Sequence, residues 1–162
     1  MPTSSTLIII ATILALKIFF GWLIFRHLIS TYVLSPSENG AINALEKLIK
    51  SGYSVTSDPL GESAKNKAQI LEIFEDYSRH IEKLGALKLR YPDKEISIAV
   101  KPSRFGTEIS KIHFIYYALQ LCNTALTHNV FIWFDAEKIN DRPLVLNSLL
   151  FLAQRRSKRN SD

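Results

Sequence analysis

The sequence of 162 residues predicts an α/β fold in which parallel strands alternate with helices. The first observation is that short β-like runs at residues 53–58, 95–101 and 130–137 are separated by longer helical patterns. Such alternation is typical of parallel strands joined by right-handed crossovers. The second observation is that each run carries a charged residue near its end, on the less aliphatic face of the strand.

A hydrophobic segment precedes this pattern. From Leu7 to Phe25 the chain is apolar except for Thr12 and Lys17, and the run has about the length that a helix of roughly 20 residues needs to cross a bilayer. A cleaved secretory signal is disfavoured because no basic residue precedes the run. A buried or amphipathic helix is the alternative, because Lys17 near the middle of a span carries an energetic cost.

The flanking charges predict an orientation. Arg26 and His27 follow the apolar run, so the positive-inside tendency places the rest of the chain in the cytoplasm. The single cysteine agrees with a reducing compartment. We therefore predict a single-pass membrane anchor within residues 1–34, in contact with the lipid bilayer, and a β/α domain over residues 35–162 in the cytoplasm.

The helical patterns have recognisable ends. A first helix over residues 39–52 is closed by Gly52, a second begins at the N-cap Ser63 and ends at Gly85, and a last one begins at the N-cap Asp141. The helix within residues 107–129 is expected to bury one stripe of side chains, which Phe114 and Tyr117 widen: Ile112, Ile115, Tyr116, Leu119, Cys122 and Leu126.

Residue parity assigns the two faces of each strand. In the middle run, Ile96, Ile98 and Val100 are expected to face the helices, and the other face ends with Lys101. By the same alternation, Asp58 and Asp135 end the corresponding faces of the neighbouring runs. Charges that converge at the carboxyl ends of parallel strands favour a (β/α) barrel. An open doubly wound sheet is the alternative, although no glycine-rich phosphate motif follows any strand.

Longer motifs in the same places resemble a known family. The stretches "GYSVTSDPLGES", "EISIAVKPSRFG" and "VFIWFDAEKIN" resemble the first three β/α units of proline dehydrogenase, the FAD-dependent barrel enzyme that oxidises L-proline. The resemblance covers roughly residues 38 to 154 and departs from the family at Pro59, Pro102, Arg104 and Ala136. It implies the N-terminal portion of a (β/α)8 TIM-like barrel, and hence a truncated chain that is inactive alone.

The resemblance implies a chemistry and roles for particular residues. Family members transfer a hydride from proline to FAD, giving pyrroline-5-carboxylate in proline catabolism, and the reduced flavin passes its electrons to quinone. Lys101 resembles the family lysine near the flavin and the carboxylate of proline or an analogue, and Asp135 resembles the active-site aspartate of the third strand. Glu62 resembles the glutamate that pairs with a substrate-binding arginine and gates the pocket, whereas Asp58 braces the loop.

Other functions remain open at this point. The chain could work with a complementary half-barrel chain, or it could be a membrane-anchored, non-catalytic α/β binding module. A third possibility is a barrel enzyme that uses Lys101 as a Schiff-base nucleophile, which requires a lysine of lowered pKa. A metal site is not expected, because the four histidines show no ligand spacing. Nucleic-acid binding is not expected either, because the net charge of +5 includes a basic tail without interleaved aromatic residues.

Overall fold

A computed structural model describes residues 4–32, 35, 37–135 and 142–159 of the chain. The chain divides into two compact units, Met1–Ala44 and Leu45–Asp162. The strands and all of the predicted site residues lie in the second unit.

Helix α1, Ser4–Tyr32, occupies the segment for which the sequence predicts a membrane anchor. Among the described residues, no helix has both the length and the apolar character that a membrane span requires. The predicted anchor is therefore not supported, and the cytoplasmic placement of the remainder stays a prediction.

Helix α2, Glu38–Lys50, begins where Ser37 Oγ accepts a hydrogen bond from the amide of Gly40 at 3.2 Å. This is the N-cap arrangement expected of serine. The helix ends before Gly52, which has the left-handed φ of 99° that a side chain would disfavour. The predicted cap at Gly52 is confirmed.

The three predicted strands form one parallel sheet in the order β1-β2-β3. The strands are β1 Val55–Ser57, β2 Ile96–Val100 and β3 Phe131–Phe134. In the register of this sheet, Thr56 pairs with Ser97, and Ala99 pairs with Trp133. The strand–helix alternation of the sequence therefore predicted the topology of this small sheet correctly.

The two faces of the sheet differ in side-chain type as the parity predicted, although every residue of β2 is buried. One face is buried, with Val55, Ile96, Ile98 and Val100 as its apolar members. On the other face Thr56 Oγ1 and Ser97 Oγ are hydrogen-bonded at 2.7 Å. The rings of Phe131 and Trp133 meet edge to face on β3, and both are about half exposed.

Helix α3, Lys67–Arg90, begins later than the sequence predicted. Its N-cap is Asn66, whose side chain accepts from the amide of Gln69 at 2.9 Å. Gln69 in turn accepts from the amide of Lys65 at 2.8 Å. This reciprocal pairing resembles a capping box, so the prediction of Ser63 as the N-cap is wrong.

The same helix continues through Gly85, which was predicted to end it. Gly85 is buried, and a Cβ there would come within 2.6 Å of the Cβ of His128. The glycine therefore permits close packing inside a helix and does not terminate it.

Helix α4, Lys111–Thr127, buries Phe114 as predicted but otherwise a different stripe from the predicted one. Ile112 is 78% exposed, and Tyr116 and Leu126 are also exposed. Because apolar residues surround much of this helix, their spacing alone could not select the buried face. Small alanines allow close approach on the face that is buried, which consists of Phe114, Ala118, Leu121 and Ala125.

Helix α5 extends over Arg142–Arg159. Ser148 is buried within it, and its hydroxyl donates to the carbonyl of Leu144 at 2.6 Å. The predicted N-cap, Asp141, lies outside the described residues.

We expect Leu121→Ala and Leu126→Ala to differ sharply, although both truncate a leucine of α4. Leu121 is fully buried, so its truncation should lower the free energy of unfolding by about 2–5 kcal/mol. Leu126 is 52% exposed, so its truncation should change the free energy by less than about 1 kcal/mol. Urea unfolding followed by circular dichroism measures both. Equal losses would contradict the buried face assigned to α4.

Candidate functional site at the strand ends

The chain turns sharply immediately after β2, and this turn leaves Lys101 at the end of the strand. A 3₁₀ turn, Pro102–Phe105, follows Lys101 directly. Pro102 suits its first position because the proline ring presets φ. Gly106, with φ of 68°, ends the turn in the left-handed region. Lys101 is therefore attached to two rigid pieces of backbone, the central strand and the turn.

Lys101 forms an ion pair with Asp58, the residue that follows β1. The ammonium Nζ donates to both carboxylate oxygens, at 3.0 and 3.1 Å. The side chain of Lys101 is 26% exposed and that of Asp58 is 46% exposed. Pairs this exposed typically stabilise a protein by only about 0–1 kcal/mol. The Lys101–Asp58 pair therefore matters mainly because it places a cation at the strand ends.

The hydrogen bond to Asp58 raises the pKa of Lys101 above its ordinary value of 10.5. Partial burial opposes the shift, while the charges of Asp58 and Asp135 and the Tyr77 phenol support it. Lys101 is consequently an ammonium ion at neutral pH.

Asp135 is anchored through its backbone. Its amide donates to the carbonyl of Val100 at 3.0 Å, which continues the ladder between β2 and β3 beyond the end of β3. The structure thus pairs Lys101 with Asp58 and bonds the backbone of Asp135 to the residue that precedes Lys101, and the roles predicted for the three residues stay predictions.

Glu62 has a different environment from these residues. It pairs with Lys65 at 3.5 Å, and its side chain is 87% exposed. This pair connects two residues of the same segment, and the structure does not pair Glu62 with Lys101. Its predicted role as a gate remains a prediction.

Sequence reasoning missed the contacts made by Arg104, which it treated only as a departure from the family. Arg104 Nη1 donates to the carbonyl of Pro59 at 3.1 Å and to the hydroxyl of Tyr77 at 3.4 Å. The guanidinium also lies over the Tyr77 ring, 5.2 Å from its centroid. Gly61 gives this guanidinium room, because a Cβ there would lie 2.4 Å from Arg104 Nη2, and no signal in the sequence showed this contact.

Tyr77 connects this contact to the core. Its ring is 1% exposed and meets Phe105 edge to face, with 5.3 Å between the centroids. Burial raises the pKa of the Tyr77 phenol, and the neighbouring Arg104 charge partly opposes that rise. The phenol is therefore neutral at physiological pH and can accept from Arg104.

A second missed contact lies behind the strand ends. Ser57 Oγ and His80 Nε2 are 2.8 Å apart and buried between β1 and α3. Ser57 has the parity of the helix-facing side of β1, where a polar side chain requires a partner. That parity was a signal for a polar residue on the helix opposite.

A groove of about 660 Å³ lies along β3. It is lined mainly by apolar residues of β3 and α4 and reaches Glu95 and Ile96 at the start of β2. Lys101, Asp58 and Asp135 do not line it. The groove is therefore distinct from the cluster of charges at the strand ends.

Parallel strands with helices against one face and charged residues at their carboxyl ends are typical of part of a (β/α) barrel, a fold in which ligands bind at those ends. Comparison with protein families gives a match to the model described as proline dehydrogenase over residues 41–161. The chain belongs to the proline dehydrogenase family.

Two solved structures resemble the chain. Proline utilization A from Bdellovibrio bacteriovorus, inactivated by N-propargylglycine, superimposes with a TM-score of 0.64 at 17% identity over 74% of this chain. A mutant of proline utilization A from Bradyrhizobium japonicum superimposes with a TM-score of 0.57 at 25% identity over 75% of this chain. The chain spans only 14% and 13% of the length of these proteins. No curated protein matches the chain.

The residues present fit a flavin in chemical character. A flavin nucleotide combines a flat ring system with anionic phosphates. The sheet offers the half-exposed rings of Phe131 and Trp133, the hydroxyl of Thr56, and the Lys101 cation with a negative partner on each neighbouring strand end. Aromatic faces suit a flat ring, and an ammonium suits an anion.

We expect Asp58→Asn to lower the pKa of Lys101, because the hydrogen bond to the carboxylate is the largest cause of the upward shift. Asp135→Asn should lower the pKa less, because Asp135 acts only through its charge. Carbon-13 NMR of the reductively methylated lysines, with Lys101→Arg for assignment, follows the titration. A larger fall in the Asp135 variant would contradict the pairing described above.

Proposed function

We propose that this chain supplies the first β/α units of a flavin-dependent proline dehydrogenase site, in which Lys101 and Asp135 lie at the flavin and the substrate. The observation that carries this proposal is the Lys101–Asp58 pair at the end of the central strand, close to Asp135. Family membership supports the same chemistry. The electron acceptor, quinone, is proposed from the family alone.

Each residue would have a distinct task in such a site. Lys101 would hold an anionic group of the flavin or the carboxylate of proline through its ammonium hydrogens. Asp58 would keep that ammonium charged and oriented. Asp135 would add a second negative charge near the ammonium, and Glu62 would gate the entrance by pairing with an arginine. The bound flavin would supply the hydride acceptor.

The open face of the sheet supports a further part of the proposal. Phe131 and Trp133 are 53% and 50% exposed on the face that carries the site. Burial of large aromatic side chains is energetically favourable. We infer that additional barrel strands cover this face, from a longer chain or from a complementary half-barrel chain.

The Schiff-base alternative is disfavoured by the environment of Lys101. A nucleophilic lysine needs a pKa lowered toward neutrality. Asp58 has the opposite effect and raises the pKa of Lys101. The ammonium ion suits anion binding better than covalent attack.

A non-catalytic binding module is the second candidate function. The groove of about 660 Å³ along β3 favours it, because the groove is lined mainly by apolar residues and is not lined by Asp58, Lys101 or Asp135. A partner that used this groove would contact β3 and α4 without requiring Lys101.

The visible absorption spectrum of the full chain, purified without added cofactor, tests the first proposal. We expect an oxidised flavin spectrum that bleaches with proline. If the chain needs a complementary half, the same spectrum should appear only when that half is present. A chain that stays colourless and inert to proline even with its completing strands would favour the binding module.

We expect Lys101→Met to weaken flavin or proline-analogue binding at least tenfold, because an anionic group would lose its charged partner; such a change corresponds to about 1.4 kcal/mol. Lys94→Met is the matched control. Lys94 precedes the same strand, its side chain is 27% exposed against 26% for Lys101, and it donates to the carbonyl of Gly52. Isothermal titration measures both variants. Equal affinities would remove Lys101 from the site.

A further inference from the structure

Asp58 lies between two residues that are each held by another part of the fold. Ser57, on its amino side, is the last residue of β1. Pro59, on its carboxyl side, accepts a hydrogen bond from the turn after β2. Asp58 itself lies in a segment without helix or strand. Its backbone is therefore restrained mainly by what holds its two neighbours.

The amino-side restraint is a buried hydrogen bond. Ser57 Oγ lies 2.8 Å from His80 Nε2, and the two residues are 8% and 7% exposed. A hydrogen bond shielded from water is stronger than one at the surface. It attaches the end of β1 to the middle of α3, directly before Asp58.

The carboxyl-side restraint is the guanidinium of Arg104. It donates to the Pro59 carbonyl at 3.1 Å while lying over the Tyr77 ring. Among the described residues, Arg104 Nε is buried without a hydrogen-bond partner. Such burial carries an energetic cost, so the contacts of the rest of the guanidinium must compensate for it.

The geometry points to a positioning role for both residues. We propose that His80 and Arg104 hold Asp58 against Lys101 by fixing the residue on each side of it. The attraction between Asp58 and Lys101 would by itself orient this exposed pair only weakly, because exposed ion pairs are little more stable than the separately hydrated charges. Restraint of Ser57 and Pro59 overcomes this weakness, because it holds the Asp58 carboxylate near Lys101 before the ion pair forms. The relevance to catalysis rests on the proposed function, in which Lys101 binds an anion.

The test uses the full chain and the NMR titration of Lys101. Lys101 is influenced by Asp58, Tyr77 and Asp135. We expect Arg104→Met and His80→Leu to lower the pH midpoint of the Lys101 titration. Each decrease should be at least half as large as the decrease that Asp58→Asn causes. Loss of the Arg104 charge alone would shift the midpoint upward, because one cation near another disfavours its protonation. A downward shift therefore reports displacement of Asp58.

Further variants separate positioning from general damage to the fold. Gly61→Ala keeps the Arg104 charge but places a Cβ 2.4 Å from Nη2, so it should also lower the midpoint. His80→Gln should restore the wild-type value, because its amide can replace Nε2 toward Ser57. Arg79→Met is the matched control, since Arg79 is exposed on α3 and pairs with Asp76; it should leave the midpoint unchanged.

Two results decide the matter. A fall in the Arg104 and His80 variants, restored in His80→Gln, supports the positioning role. If Asp58→Asn lowers the midpoint while Arg104→Met, His80→Leu and Gly61→Ala leave it at or above the wild-type value, the proposal is wrong. Because the titration needs neither flavin nor proline, this failure is distinguishable from a failure of the proposed function.

Discussion

Parallel pairing of β2 with both of its neighbours is the constraint on which the site depends. Because all strands of the sheet point the same way, their carboxyl ends meet at one edge. β2 is central, so the residue that follows it lies between the residues that follow β1 and β3. Lys101 is therefore placed beside Asp58 and close to Asp135 by the topology. The ladder continues to the site, since the Asp135 amide donates to Val100.

The two faces of this sheet have separate physical tasks. The face beneath the helices buries aliphatic side chains, among them Ile96, Ile98 and Val100, and full burial of each contributes about 1.5–3 kcal/mol. The opposite face carries a hydroxyl pair and two half-exposed aromatic rings. Aliphatic burial is thus concentrated on one face, although Ser97 and Ala99 of the opposite face are also buried, and the half-exposed aromatic rings of β3 leave that part of the opposite face accessible.

The environment of Lys101 favours binding an anion over nucleophilic chemistry. Asp58 accepts from its ammonium and raises its pKa, so the charged form predominates. An ammonium held at the end of a strand can orient an anionic group in a fixed position. The proposed function requires a site of this kind, because a protein that uses a flavin must position both the cofactor and the substrate.

The residue pattern by itself determined the order of strands and helices along the chain and the two faces of each strand. It also placed Asp58, Lys101 and Asp135 at the same ends of their strands. A period of two leaves only one choice of face once the aliphatic side is known. Family motifs also identified the family correctly. Helix periodicity was less informative in α4, where apolar residues surround the helix and the buried face had to be selected by packing around Phe114 and Leu121.

Only the tertiary structure decided the contacts that connect distant segments. Gly85 looked like a helix end because its packing partner, His128, is far along the chain. Likewise, nothing local to Arg104 or His80 shows that they reach Pro59 and Ser57. Periodicity reports a residue's relation to its own strand or helix, whereas these contacts depend on how the elements pack. The charges at the strand ends were therefore predictable, and the residues that hold Asp58 were not.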